Sequence, residues 1–226
     1  MKKIILLVIA VACMGQQTKA QEKAFIKGKV IISASASLGA YGTKLHSSWD
    51  STFINNTYKV AKDENSGAAS AIYGLNVEYA LNNWLGIGGR FGYSKYFTQA
   101  DSTNNYTKPN VNGWDGNLTL GFHFVKSVHF DMPLMFSLGY SKIKYQALDA
   151  TNGIAQGGGL GYAISILPRI YFGNHFGMFF NLGYAGYNYP NLTLSNNTNV
   201  FNTINYTFKL KASGANVGLG FMFKFH

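Results

Sequence analysis

Eight times along this chain, large apolar residues occupy every second position, and the positions between them carry mostly Gly, Ser, Asn or Thr. A period of two is the mark of a β-strand, whose successive side chains leave on opposite faces. The first such run, about 27–40, sets Val30, Ile32, Ala34, Ala36 and Leu38 against Lys29, Ser33, Ser35, Ser37 and Gly39. The others fall at about 70–80, 84–96, 113–124, 128–143, 157–172, 176–188 and 207–225. In the fourth, for example, Leu118, Leu120, Phe122 and Phe124 alternate with Asn117, Thr119, Gly121 and His123.

A soluble β-sandwich also alternates, but it turns its large residues inward, where two sheets face each other. Here the small and polar face suits a narrow interior, so the bulky face is the outer one. That is the pattern of a membrane β-barrel, and eight strands leave a lumen just wide enough for side chains to fill. The composition agrees. Charged residues are 12% and aromatics 15%, against about 25% charged in a typical soluble domain. After the first residues, no apolar stretch reaches the 18 or so that a membrane helix needs.

The connections assign the two ends. Short links at Leu81-Asn82-Asn83, about Lys126-Ser127, and Gly173-Asn174-His175 alternate with long polar links at about 41–69, 97–112, 144–156 and 189–206. Outer-membrane barrels keep short turns on the periplasmic side and long loops outside. An even strand count then places both termini in the periplasm. Trp84, Tyr79, Trp114, Tyr140, Tyr184 and Tyr187 fall near strand ends, where interfacial girdles are expected. The first long link, 41–69, is expected to be the most mobile.

The chain opens MKKIILLVIAVACMGQQTKAQ. Lys2 and Lys3 precede an apolar run from Ile4 to Ala12, and Thr18-Lys19-Ala20 supplies a small-x-Ala cleavage site. This is the layout of a secretory signal peptide over 1–20, with the barrel domain at 21–226. The sole cysteine, Cys13, then leaves with the leader, so no disulfide is expected. A lipoprotein reading of Cys13 has only Ala10-Val11-Ala12 as its acceptor motif. Removing Lys2, Lys3 and Lys19 lowers the net charge from +10 to +7. With no Lys/Arg run, an exported chain of this charge points to anionic lipopolysaccharide and outer-membrane lipid, not nucleic acid.

The C-terminal GLGFMFKFH, with Phe221, Phe223 and Phe225 at alternate positions, resembles the signal read by the outer-membrane assembly machinery. Phe225 is penultimate and His226 follows it, a small departure from a terminal aromatic. Together with the leader and eight strands, residues 25–226 resemble the small OmpA/OmpX-type outer-membrane β-barrel domain proteins. The resemblance implies an all-β, eight-stranded antiparallel up-and-down barrel in the cell outer membrane, assembled by that machinery. A fold shared in this way does not imply a shared activity.

Parity turns Lys29, Glu78, Arg90, Asp115, His123, His129, Asp131, Arg169 and Lys224 into the lumen. His123 and His129 are expected to face each other beside the second turn, with Asp131 and Glu78 at similar depth. Buried charges must pair, so the plain expectation is an ion-pair plug that fills the barrel. The sharper alternative is a His/carboxylate metal site or proton path. The expectation is that no metal and no cofactor is bound. Ser94 and Ser141 fall near the outer rim, but no histidine accompanies them by parity, and His46 lies in the first link. Without a Ser/His/acid arrangement, lipid-A-modifying enzymology is the least favoured reading. Asp50-Ser51-Thr52 and Asp101-Ser102-Thr103 resemble O-glycosylation acceptors, a weak match in Ser/Thr-rich links. The leading expectation is therefore a monomeric, non-enzymatic barrel serving envelope integrity or surface contact. The alternative is a narrow porin-like channel for ions or small solutes.

Overall fold

The computed structural model describes residues 23–53, 56–97, 110–146, 154–195 and 204–225. The leader and Asp101-Ser102-Thr103 lie outside them. Among the described residues nine β-strands follow one another: β1 (Val30–Phe53), β2 (Asn56–Ala80), β3 (Leu85–Phe97), β4 (Asn110–Lys126), β5 (Phe130–Gln146), β6 (Ile154–Ile166), β7 (Arg169–Phe172), β8 (Phe176–Ser195) and β9 (Ile204–Phe225). Successive strands pair antiparallel, except that β6 and β7 both lie between β5 and β8, and β9 returns to β1 with Val30 opposite Phe225, closing the sheet.

β6 and β7 occupy a single strand position, so the ring has eight. The sixth run, expected as one strand over 157–172, is broken at Leu167-Pro168. Proline has no N–H for the ladder. Leu167 still donates to the Pro133 carbonyl at 3.1 Å, and Phe180 donates to the Pro168 carbonyl at 3.0 Å, so the sheet stays sealed across the break. Closure satisfies the backbone within the ring, which the interior of a bilayer demands.

The expected faces are present on every strand. Leu38, Leu75, Leu118, Leu138, Leu182 and Phe221 all point away from the ring and are more than half exposed. Left in water, so continuous an apolar belt would be a severe liability; it is the surface a bilayer solvates. Inward positions are buried or half-buried. They are not all small, because Ile31, Phe179, Met135 and Met222 help to fill the lumen.

At one end three tight turns join β2–β3, β4–β5 and β7–β8. The Asn82 side-chain oxygen accepts from the backbone N–H of Trp84 and Leu85, both at 2.8 Å, closing the first of these turns. Gly173 adopts φ 79° in the third, a left-handed conformation that suits glycine. Both ends of the described chain lie at this same end, as Val30 pairs with both Tyr79 and Phe225.

The opposite end differs from expectation. The first long link is not an irregular loop, because β1 and β2 stay in register up to Phe53 opposite Asn56. Asp50-Ser51-Thr52 accordingly lies within β1. β9 follows β1 as far as Ile204 opposite Ser51, making a ribbon of strands that stands beyond the apolar belt.

Candidate functional site

The inward face of each strand brings one group to the turn end of the lumen: Glu78 from β2, His123 from β4, Asp131 from β5 and Arg169 from β7. They meet. His123 Nε2 stands 2.9 Å from Glu78 Oε1, and its Nδ1 stands 2.9 Å from both oxygens of Asp131. Arg169 donates from Nη2 to Glu78 Oε2 at 2.8 Å and from Nη1 to Asp131 Oδ2 at 3.4 Å. All four are buried. With a proton on each ring nitrogen, His123 donates to both carboxylates, and two cations then balance two anions. The Glu78 carboxylate lies where a Cβ on Gly86 or Gly121 would be, so those inward glycines on β3 and β4 are what admit it.

Chain residues 23–29 fold across this end. The Phe25 ring stacks on His123 with centroids 3.3 Å apart and planes 11° apart. Ala24 donates its backbone N–H to the Ser127 carbonyl at 2.8 Å. Lys224 Nζ donates to the carbonyls of Lys23 and Ala24 and lies 5.2 Å from the centre of the Tyr171 ring. Lys29 is buried beside the same mouth. Phe25, Ile31, Ala80, Tyr171, Phe179 and Met222 complete an apolar floor around the ion pairs.

His129 does not join them. It is exposed in the β4–β5 turn. The register shifts between His123 and Val125, so one residue of β4 is bulged out and His123 comes opposite Pro133. His129 itself lies in the turn closed between Ser127 and Phe130, beyond the last ladder pair of Lys126 with Asp131, so the alternation of β5 does not reach it. Arg90 and Asp115 stand higher in the lumen, in a layer separate from the tetrad. Asp115 accepts from the Asn117 amide. Arg90 lines a small chamber of about 40 Å³ with Ser33, Asn76, Thr119, Ser137 and Asn181. Asn76 Oδ1 and Thr119 Oγ1 have no hydrogen-bond partner within the described protein, and a chamber of this volume admits water to serve them.

Above the chamber a tyrosine layer crosses the lumen. Tyr41 packs against Tyr96 and Tyr187 at 6.5 and 6.0 Å between ring centres, and Tyr187 stacks on Tyr189 at 6.2 Å. The Tyr189 and Ser141 hydroxyls are 2.8 Å apart. Tyr187 is thus a lumen residue and not part of the girdle. The inward parity of the seventh run already takes in Tyr187, and continuing it past 188, with that of the first run past 40, identifies Tyr189 and Tyr41.

Each nitrogen of His123 is taken by a carboxylate, and each carboxylate is also taken by Arg169, so the tetrad offers a metal no shared open point. Among the described residues no group of three or more His, Cys, Asp or Glu side chains is arranged to hold a metal ion. Phe221, Phe223 and Phe225 of the C-terminal motif all face outward, half exposed.

The architecture has known counterparts. The crystal structure of the outer membrane protein OprG from Pseudomonas aeruginosa superposes with a TM-score of 0.51 at 13% identity, covering 89% of this chain and 98% of that one. The fold is that of a small outer-membrane β-barrel. Ail, the attachment invasion locus protein of Yersinia pestis, gives a TM-score of 0.43 at 13% identity over 88% of this chain and all of its own. A major outer membrane protein from Thermus thermophilus gives 0.49 at 10% identity, over 81% of this chain and 99% of that one. No protein-family model matches the chain, and no curated protein matches it.

Proposed function

We propose that this chain is a non-enzymatic barrel of the outer membrane, monomeric, with its lumen closed to passage. It would serve envelope integrity and present its projecting strands to the surroundings. One observation supports this above the others: the lumen is obstructed twice, by the Phe25-capped ion pairs at the turn end and by the tyrosine layer at the other. Eight-stranded barrels are ordinarily filled in this way. The projecting ribbon of β1, β2 and β9 supports the surface-contact role, since it extends beyond the belt that lipid covers.

The polar chamber beside Arg90 favours a second reading, a narrow path for water or ions that opens when one of the two barriers moves. Planar-bilayer recording of the refolded barrel separates them. A silent bilayer, with folding verified by a heat-modifiable gel shift, is the expected result. Steady conductance would overturn the closed-lumen reading and favour transport.

A further inference from the structure

The outer wall of the barrel carries a feature that the lumen does not explain. Trp114, Tyr140, Tyr162 and Tyr184 form most of the girdle at the ribbon end, all outward and exposed. Across β8, β9, β1 and β2 that girdle breaks. The row running from Tyr184 continues through Ala215, Ala40 and Ala69. The next outward row is Gly186, Ser213, Gly42 and Gly67, and the row beyond it is Asn188, Lys211, Lys44 and Asn65. One step further out stand Lys209 and His46, directly opposite each other.

The low rows leave an open groove of about 460 Å³ whose head is formed by Lys44, Lys211, Asn65 and Asn188, with Tyr162 at its side. The Tyr162 ring covers Gly186, where a Cβ would collide with it. On the same wall, nearer the centre of the belt, Ala36, Leu38, Val217, Leu219, Tyr73 and Phe180 line a second, apolar groove of about 430 Å³. Two described carboxylates stand next to the groove head, Glu64, which takes the other face of β2 and pairs with Lys62 at 2.5 Å, and Asp63. Asp63 pairs with Lys44 at 3.1 Å and His46 at 2.5 Å, leaving Lys209 and Lys211 in excess.

Cations at a membrane interface, above a groove lined by apolar atoms, match a molecule with an anionic head and acyl chains. We propose that this wall binds a phosphorylated lipid of the outer leaflet. Its phosphate sits at Lys44 and Lys211, its sugar or glycerol hydroxyls at Asn65 and Asn188, and an acyl chain runs down toward Ala36 and Leu219. Lysine suits the head position, because its stem lies along the apolar wall while the ammonium reaches the phosphate layer. The proposal rests on the barrel spanning the membrane and is independent of whether the lumen conducts.

The opposite wall supplies the control. Lys95 and Lys144 flank Asn112 there in the same outward row, an equal charge in a different setting. The test is a titration of the refolded barrel, in zwitterionic detergent, with bis-phosphorylated lipid A, read by native mass spectrometry. Lys44→Gln with Lys211→Gln is expected to weaken retention about thirtyfold, at the energy typical of two cations beside an anionic surface. Lys95→Gln with Lys144→Gln is expected to stay within about twofold of wild type, its charges lying outside the groove. Gly42→Leu fills the groove while keeping both lysines; a Cβ there meets only the Ser213 carbonyl at 3.9 Å, and with folding verified by the heat-modifiable gel shift, retention falls. Lipid A stripped of phosphate should bind wild type as weakly as intact lipid A binds the Lys44/Lys211 variant. Equal losses in both lysine pairs would overturn the site in favour of diffuse surface charge. Unchanged retention in Gly42→Leu would overturn the groove, and displacement by inorganic phosphate alone would overturn a lipid as the occupant.

Discussion

The same three kinds of group, a histidine, a carboxylate and a cation, meet at two places in this barrel. At the turn end His123 lies between Glu78 and Asp131 with Arg169 across both, all buried. On the ribbon His46 and Lys44 share Asp63 in the open. The contact distances are alike, but the surroundings are not. In the lumen no water replaces a lost partner, so removing one charge leaves another stranded. On the ribbon water and salt screen the charges, and a lost partner is replaced at once. Distance alone therefore says little about what an ion pair contributes; access to water decides it.

The largest effect should come from breaking the buried set. Glu78→Ala leaves His123 and Arg169 facing only Asp131 and should cost about 3–5 kcal/mol, read as a lower midpoint of denaturant unfolding in micelles. An unchanged midpoint would mean that water reaches the tetrad, and the contrast with the ribbon would collapse. Phe25→Ala comes next. A core Phe→Ala change costs about 3–5 kcal/mol, but residues 23–29 can lift away without opening the ring, so about 2–3 kcal/mol is expected. The same variant tests closure, since conductance gained with the stopper gone would show that Phe25, not the tyrosine layer, is the tighter barrier. Tyr189→Phe removes only the hydroxyl that meets Ser141 and should cost about 1 kcal/mol by the same unfolding assay.

How far each region was legible from sequence follows the same division. A period of two with bulk on one face is written locally, residue by residue, and it placed the ring, the outward belt and the three turns. Glu78, Asp131, Arg169 and Lys224 follow from parity alone. His129 does not, because the β4–β5 turn is wider than its composition suggests: it closes between Ser127 and Phe130 and keeps His129 outside the ladder that begins at Lys126 opposite Asp131. Phe25 was invisible for another reason: it lies before the first strand and finds His123 only through the folded ring. The ribbon reads as loop in the sequence because residues 41–53 and 56–69 have no sustained apolar alternation. What extends them is pairing with each other and with β9, a property of three segments together.

The exposed pair offers the smallest effect and the cleanest sign. Hydrogen bonds from His46 and Lys44 hold the Asp63 carboxyl below its ordinary range. A carboxylate lowered in this way favours the ordered ribbon at any pH above its unfolded-state value, and the contribution is lost as pH falls through the lower, folded value. His46 ring signals in micelle NMR should therefore keep their Asp63-dependent shift through the normal carboxylate range and lose it only at more acid pH. Asp63→Asn should remove that acid-side transition and leave the unfolding midpoint where it was. A midpoint that fell with Asp63→Asn as far as with Glu78→Ala would show that the ribbon excludes water as thoroughly as the lumen, and would place both ion-pair sets in the same energetic class.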